Sequence, residues 1–279
     1  MYEDIYNQIK LAAEKKNLKP STANAYCHTI RHFLDYTGKP WNELIIDDAD
    51  AFLTAKRLSG VMPETYNHYY SAIRFMYKRI LKLYWDEDEI ARMKRDRALP
   101  VVLSKDEINS ILDATKNLKH KAMIATMYSG GLRVSEVVHL HYDDISRSNK
   151  SIHIRNTKNR RDRYTILADR TLDLLTEYWF QCGKPRSILF PSQWTHNYLD
   201  ISSVNQFLKT SAKKAGITKH FSSHTFRHSF ASHLLEAGCD INYIQALLGH
   251  TDPKSTEIYL HVSNKTLLGI KSPFDVQED

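Results

Sequence analysis

The sequence predicts a mainly α-helical protein in two parts, the second of which carries a small antiparallel sheet. Three observations lead there. Up to Leu83 the apolar residues recur at helical spacing and never alternate. The stretch SIHIRNTKNRRDRYTIL, residues 151–167, instead alternates with period two on either side of a polar turn, as a β-hairpin does. Between these regions lies DEDEIARMKRDRALP, residues 86–100, a dense charge run with little apolar material that reads as a linker. The expected division is a helical domain over 1–85, a linker over 86–100 and a second domain over 101–279.

In the first part, Ile5, Ile9, Ala12 and Ala13 keep one helical face. Ser21 can cap a second helix bearing Tyr26, Ile30, Phe33 and Leu34 and closed by Gly38. Asp47 or Asp48 can cap a third with Phe52 and Leu53, and Pro63 opens a fourth with Tyr66, Tyr70, Ile73, Met76 and Ile80. That is a small four-helix bundle. On the fourth helix Arg74, Lys78 and Lys82 recur at intervals of four, so they line an edge away from the apolar face.

The second part opens with Ser104 and Glu107 in a capping-box spacing before Ile108 and Ile111. A helix over Lys119–Tyr128 is broken by Gly130 and Gly131, and Arg133 then starts a further short helix with Glu136 three residues on, close enough to orient its guanidinium. A helix start offers free N–H groups to an anion, and the glycines allow close backbone approach. In the hairpin, Ile152 and Ile154 alternate on the way out and Tyr164 and Ile166 on the return, with Lys158 at the tip. A helix over Arg170–Gln181, a possible strand in SILFPS and a helix capped by Asp200 or Ser202 and closed by Gly216 complete the scaffold. Ser223 can cap a helix with Phe226, Phe230, Leu234 and Leu235. Asp240 caps the next, which Gly249 stops in a left-handed turn, and Asp252 with Pro253 starts a last one carrying Tyr259.

The 42% hydrophobic content suffices for a packed core, and no apolar run approaches a membrane span. The start, MYEDIYNQIK, is polar and unlike a signal peptide. Cys27, Cys182 and Cys239 have no metal-ligand spacing and fit free thiols. The expected location is therefore the cytoplasm, and the nucleoid if the partner is DNA. A net charge of +7 and a pI near 9.1, spread over both halves, favour a polyanionic partner. His139-x-His141 and His224-x3-His228 have ligand-like spacing but bring no acidic or cysteine partners, so no metal is expected.

The chemistry gathers between His224 and Tyr259. His224 and Arg227, three apart on one helix, point the same way, and His250 follows the tight terminus at Gly249. A phenol has a pKa of about 10, so a nucleophilic tyrosine needs a nearby base or cation. A phosphodiester under attack spreads negative charge over its oxygens, which guanidinium groups bind. Histidine, arginine and tyrosine together suggest phosphoryl transfer through a phosphotyrosine.

At these residues the chain resembles the tyrosine recombinases, or phage-type integrases. HTFRHSFASHLLEAG and LLGHTD-x-x-x-TEIYLHV look like the family's second arginine box and nucleophile box, GGLRVSEV like its first arginine box, and KNRRDRYTIL like the KGNKxRxxxL hairpin of the Xer branch, with Asn159 in place of glycine. The resemblance implies a helical, SAM-like core-binding domain followed by a catalytic domain of the DNA breaking-rejoining enzyme fold. It implies a site-specific recombinase acting on double-stranded DNA without cofactor. Tyr259 would be the nucleophile, Arg133, Arg227 and His250 the holders of the phosphate oxygens, His224 a phosphate ligand or proton relay, Lys158 or a neighbouring basic residue the acid for the leaving oxygen, and Glu136 a support. Arg74 and Lys78 become candidates for DNA contact. A homotetrameric synaptic complex is implied, with the segment holding Leu267, Leu268 and Ile270 docking on a neighbouring protomer. A type IB topoisomerase, a DNA-binding regulator without catalysis and a metal-dependent nuclease are the rival readings.

Overall fold

A computed structural model describes residues 2–94, 99–155, 162–184, 187–193, 195 and 197–249. Lys158, Trp194, His250, Tyr259 and the segment with Leu267, Leu268 and Ile270 lie outside the described residues. The chain forms two compact units, Met1–Arg97 and Ala98–Asp279.

The first unit is built from α1 (Glu3–Lys15), α2 (Pro20–Thr37), α3 (Ile46–Leu58) and α4 (Pro63–Met76), around a core that includes Ile30, Phe33, Phe52, Tyr70 and Tyr77. Two expected caps shift. Lys19 precedes α2, with Pro20 as its first residue, and Ile45 precedes α3, its N–H bonded to the Asp48 carboxylate at 2.9 Å. α4 ends at Met76 and passes into a π turn over Tyr77–Leu81, closed by Lys82 at φ 59°. The expected row of Arg74, Lys78 and Lys82 on one regular helix is therefore broken after its first member.

The stretch expected to act as a linker from residue 86 is packed on this unit as far as Met93. Trp85 and Ile90 are buried. Trp85 donates to the Tyr70 hydroxyl at 3.1 Å, and the Asn67 side chain bonds the Met93 backbone in both directions, at 2.9 and 3.1 Å. The apolar residues here are few, yet each meets the core, and an amide side chain takes the place of a partner strand.

The second unit contains α5 (Lys105–Ala114), α6 (Leu118–Ser129), α7 (Val134–Val138), a sheet, α8 (Asp169–Gln181), α9 (Ile201–Lys214), α10 (Ser223–Glu236) and α11 (Ile241–Leu248). The capping box of α5 is formed: Ser104 Oγ accepts from Glu107 N at 3.1 Å and Glu107 accepts from Ser104 N at 2.7 Å. Asp200 caps α9 and Asp240 caps α11, while Ser222, one residue earlier than expected, precedes α10. SILFPS forms no strand; it makes only isolated bridges, His141 to Ile188 and Pro191 to Tyr198.

The sheet has three antiparallel strands in chain order, β1 (Ile145–Ser146), β2 (Ser151–Ile154) and β3 (Arg163–Ile166), the first being too short to announce itself in sequence. Ile152 pairs with Thr165 and Ile154 with Arg163. Directly opposed residues share a face, so Arg163 and Thr165 point inward with the two isoleucines. Tyr164 and Ile166, the apolar members of the alternation, face outward instead and are 64% and 43% exposed. The inversion is stable because both inward polar groups are satisfied: Thr165 Oγ1 donates to the Gly130 carbonyl at 2.8 Å, and Arg163 is bonded as described below.

Candidate active site

The site is assembled from four elements of the second unit. The turn after α6 delivers Arg133, α7 delivers Glu136, β3 delivers Arg163, and α10 delivers His224 and Arg227. Gly131 makes the turn possible. It sits at φ 62°, and a Cβ there would overlap the Phe230 ring and stand 2.9 Å from Leu248. Glycine at this point lets α10 and α11 close over the turn.

Glu136 is the centre. Its Oε1 accepts from Arg133 Nη1 at 2.7 Å and from Arg163 Nη1 at 2.8 Å. Its Oε2 accepts from the Arg133 backbone N–H and from Arg163 Nη2, both at 2.8 Å. Arg227 Nη1 lies 3.8 Å from Oε2. Burial alone would raise the pKa of this carboxyl. The hydrogen bonds and charge of Arg163, with those of Arg133, outweigh it and hold the pKa at about 2. Three guanidinium groups thus share one carboxylate, and the cluster is net positive.

The three cations are held differently. Arg227 is buried, with Nη1 on the Gly131 carbonyl at 2.7 Å and Nη2 on the Leu248 carbonyl at 2.5 Å, so its plane is set by the glycine turn and by the end of α11. Arg163 is buried too, with Nε on the Leu247 carbonyl at 2.8 Å. Arg133 keeps a side chain 22% exposed, and its only side-chain bond among the described residues is the one to Glu136. The backbone N–H of Arg133, at the N-cap of α7, is itself taken by Glu136, so what Arg133 offers an anion is its guanidinium.

His224 stands on the exposed side of α10, within the electrostatic reach of the cluster. Partial enclosure, then the charges of Arg227 and Arg133, push its pKa below the ordinary imidazole value against an opposing pull from Glu136. The shift favours the neutral ring, the form that can accept a proton. His228, one turn on, is pushed lower, to about 4, by burial and then by His224 and Arg227. Among the described residues no three potential metal ligands stand together; His141 bonds Tyr198 at 2.9 Å and His139 bonds the Ser135 carbonyl at 2.7 Å.

The structure therefore brings Arg133, Glu136, His224 and Arg227 into one cluster. Arg163 was the member missed from sequence, although it occupies the arginine of the KGNKxRxxxL pattern. Arg74 and Lys78 belong to the other unit, where both meet Glu87: Arg74 donates to it from Nε at 3.1 Å and from Nη2, and Lys78 lies 3.9 Å away.

Such a cluster suits a protein that moves phosphoryl groups by positive charge and a proton acceptor. The family models agree with it: residues 101–266 match "Phage integrase family" and residues 5–87 match "Phage integrase, N-terminal SAM-like domain". A tyrosine recombinase of Thermosipho africanus is 33% identical over 258 residues, covering 88% of this chain and 90% of that one. The tyrosine recombinase XerD of Caulobacter vibrioides is 30% identical over 283 residues, covering 94% and 92%. The fold is shared with the XerH site-specific recombinase, at a TM-score of 0.72 and 23% identity over 93% of this chain and 82% of that one. It is shared also with lambda integrase residues 75–356, at 0.69 and 16% over 92% and 93%. The chain belongs to the phage integrase family, and it is a tyrosine-type site-specific DNA recombinase.

Proposed function

We propose that the chain exchanges strands of double-stranded DNA through a covalent 3′-phosphotyrosine at Tyr259. The Tyr259 oxygen bonds to phosphorus as the bond from phosphorus to the 5′ oxygen breaks. Neutral His224 takes the phenolic proton, and Lys158 gives a proton to the departing 5′ oxygen. Arg133, Arg227 and His250 hold the non-bridging oxygens, and Glu136 supports Arg133. The reverse step, with the 5′ hydroxyl of another strand as nucleophile, rejoins the DNA. The phosphodiester energy is retained in the tyrosyl ester, and the charges that stabilise the transition state come from side chains, so the step calls for no cofactor or metal.

The observation that carries this reading is the convergence of Arg133 and Arg227 on Glu136, with His224 on the same helix as Arg227. The solved fold relatives add support for the substrate: the XerH structure is a post-cleavage complex on a palindromic difH substrate, and lambda integrase is a dimer on a COC′ core site. We further propose that the working assembly on DNA is a homotetramer in the nucleoid, with the segment around Leu267, Leu268 and Ile270 docking on a neighbouring protomer. Arg74 and Lys78 contact the phosphate backbone from the first unit.

Binding sites selected from a randomised duplex pool provide the test. Nicked as suicide substrates and incubated in EDTA, they are expected to give a denaturant-stable DNA adduct that Tyr259→Phe abolishes. Two such sites on separate duplexes should exchange strands. Failure to form an adduct would sink the reading. Supercoil relaxation without strand exchange between sites would move it to a topoisomerase.

A further inference from the structure

Arg163 enters the cluster from the inner face of the sheet, and no step proposed above uses it. Its grip on Glu136 is the two-pronged one that guanidinium and carboxylate prefer, Nη1 on Oε1 and Nη2 on Oε2 at 2.8 Å each. The space it fills is tight on the far side as well. Gly249 has φ 65°, and a Cβ there would stand 2.8 Å from Arg163 Cδ. Its third bond, Nε to the Leu247 carbonyl, lies one residue before the carbonyl that holds Arg227.

A buried carboxylate with a free fork draws the nearest guanidinium into a paired, bidentate contact. Among the described residues the nearest others are Arg133 and Arg227, at 2.7 and 3.8 Å. By occupying the fork, Arg163 leaves Arg133 a single side-chain contact on Glu136 and keeps the rest of that guanidinium facing outward. Resting on the reading of Arg133 and Arg227 as phosphate clamps, we propose that Arg163 is a positioning residue for strand transfer, which reserves Arg133 for the phosphate by taking Glu136's bidentate site itself. It touches no DNA. It acts through Glu136 and Arg133, and through the turn that ends α11.

The test measures two quantities on the full chain: affinity for a selected DNA site, and single-turnover adduct formation on its nicked form. Arg163→Met removes the fork and the charge, and Arg163→Lys keeps charge without the fork. In both, adduct formation should slow by roughly 10- to 100-fold, the scale of a displaced catalytic group, while the dissociation constant stays within about threefold. The decisive comparison repeats Arg163→Met in a Glu136→Gln background. A neutral amide no longer pulls Arg133 inward, so the second substitution should cost several-fold less there. A purely structural role would give the same loss in both backgrounds, and that result overturns the inference. Wild-type rates in Arg163→Lys and Arg163→Met would overturn it as well, as would a loss explained by DNA affinity. Unfolding temperatures for every variant separate slow cleavage from loss of fold; should Arg163→Met not fold, Arg163→Lys carries the same comparison. If the wild-type protein itself forms no adduct, it is the functional reading that fails.

Discussion

Each unit of this molecule sets cations on a single glutamate, and the two arrangements could hardly differ more in consequence. In the first unit Arg74 and Lys78 meet Glu87 at the surface, where the Glu87 side chain is 57% exposed. In the second, Arg133, Arg163 and Arg227 surround Glu136, whose side chain is 7% exposed. Surface pairs are screened by salt and held in no fixed geometry, and they contribute little. A buried carboxylate that accepts four hydrogen bonds fixes the cations around it in advance, which is what stabilising a transition state demands. The first arrangement suits gripping a duplex anywhere along its backbone, the second suits one phosphate in one orientation.

The contrast breaks most sharply with the two proposed clamps. Arg133→Ala and Arg227→Ala should each slow adduct formation by about 100- to 1,000-fold, the cost of losing one oxyanion donor. They should part company in stability. Arg227→Ala leaves the Gly131 and Leu248 carbonyls unpaired in the interior and should cost roughly 3 kcal/mol of unfolding free energy. Arg133→Ala removes a partly exposed side chain and should cost far less. Denaturant unfolding alongside single-turnover cleavage reads both. Equal stability loss would mean that Arg133 is as structural as Arg227.

How much of this was legible in sequence follows the range of the interactions. Caps at Ser104, Asp200 and Asp240 and the stop at Gly249 depend on neighbours within a few residues, and local spacing revealed them. Arg133, Glu136, His224 and Arg227 were found by spacing, side-chain chemistry and resemblance. Arg163 was not, because the pairing that gives it its place, with Glu136, joins residues far apart in the chain. What turned the strand over is Glu136, 27 residues upstream, together with the Gly130 carbonyl that takes Thr165. Ile90 and Met93 were hidden likewise in a charged stretch that Asn67 holds through the Met93 backbone.

Acid separates the two glutamates next. The unfolded Glu136 titrates near 4.5 and the folded one at about 2. Because the folded value is the lower, this group's stabilisation is complete above pH 4.5 and drains away as pH falls from there toward 2. The full effect is about 3 kcal/mol. It should survive high salt far better than a surface pair, since Arg163, the leading partner, is buried. Glu87 is also held low, by the Arg74 hydrogen bond and charge, but at the surface, so its share should vanish when salt is added. Acid unfolding followed at low and high ionic strength, in wild type and in Glu136→Gln, measures this. A Glu136→Gln protein with the wild-type acid profile would show that the cluster is not what acid dissolves.

The smallest effect sharpens the comparison from the other side. If Arg74 leaves Glu87 for a DNA phosphate, Arg74→Ala should weaken binding by a similar factor on every sequence and flatten the dependence of log affinity on log salt by about one unit. Cleavage of bound DNA should proceed at the wild-type rate, because Arg74 belongs to the first unit and to no step of the chemistry. Glu87→Gln should do the reverse and tighten binding, since Arg74 and Lys78 would no longer have to give up a carboxylate. Retardation assays across a salt series, with the single-turnover rate measured at saturating protein, decide it. An Arg74→Ala protein with an unchanged salt slope would mean that the Glu87 pair persists on DNA, and would reduce the surface arrangement to an ordinary solvated contact.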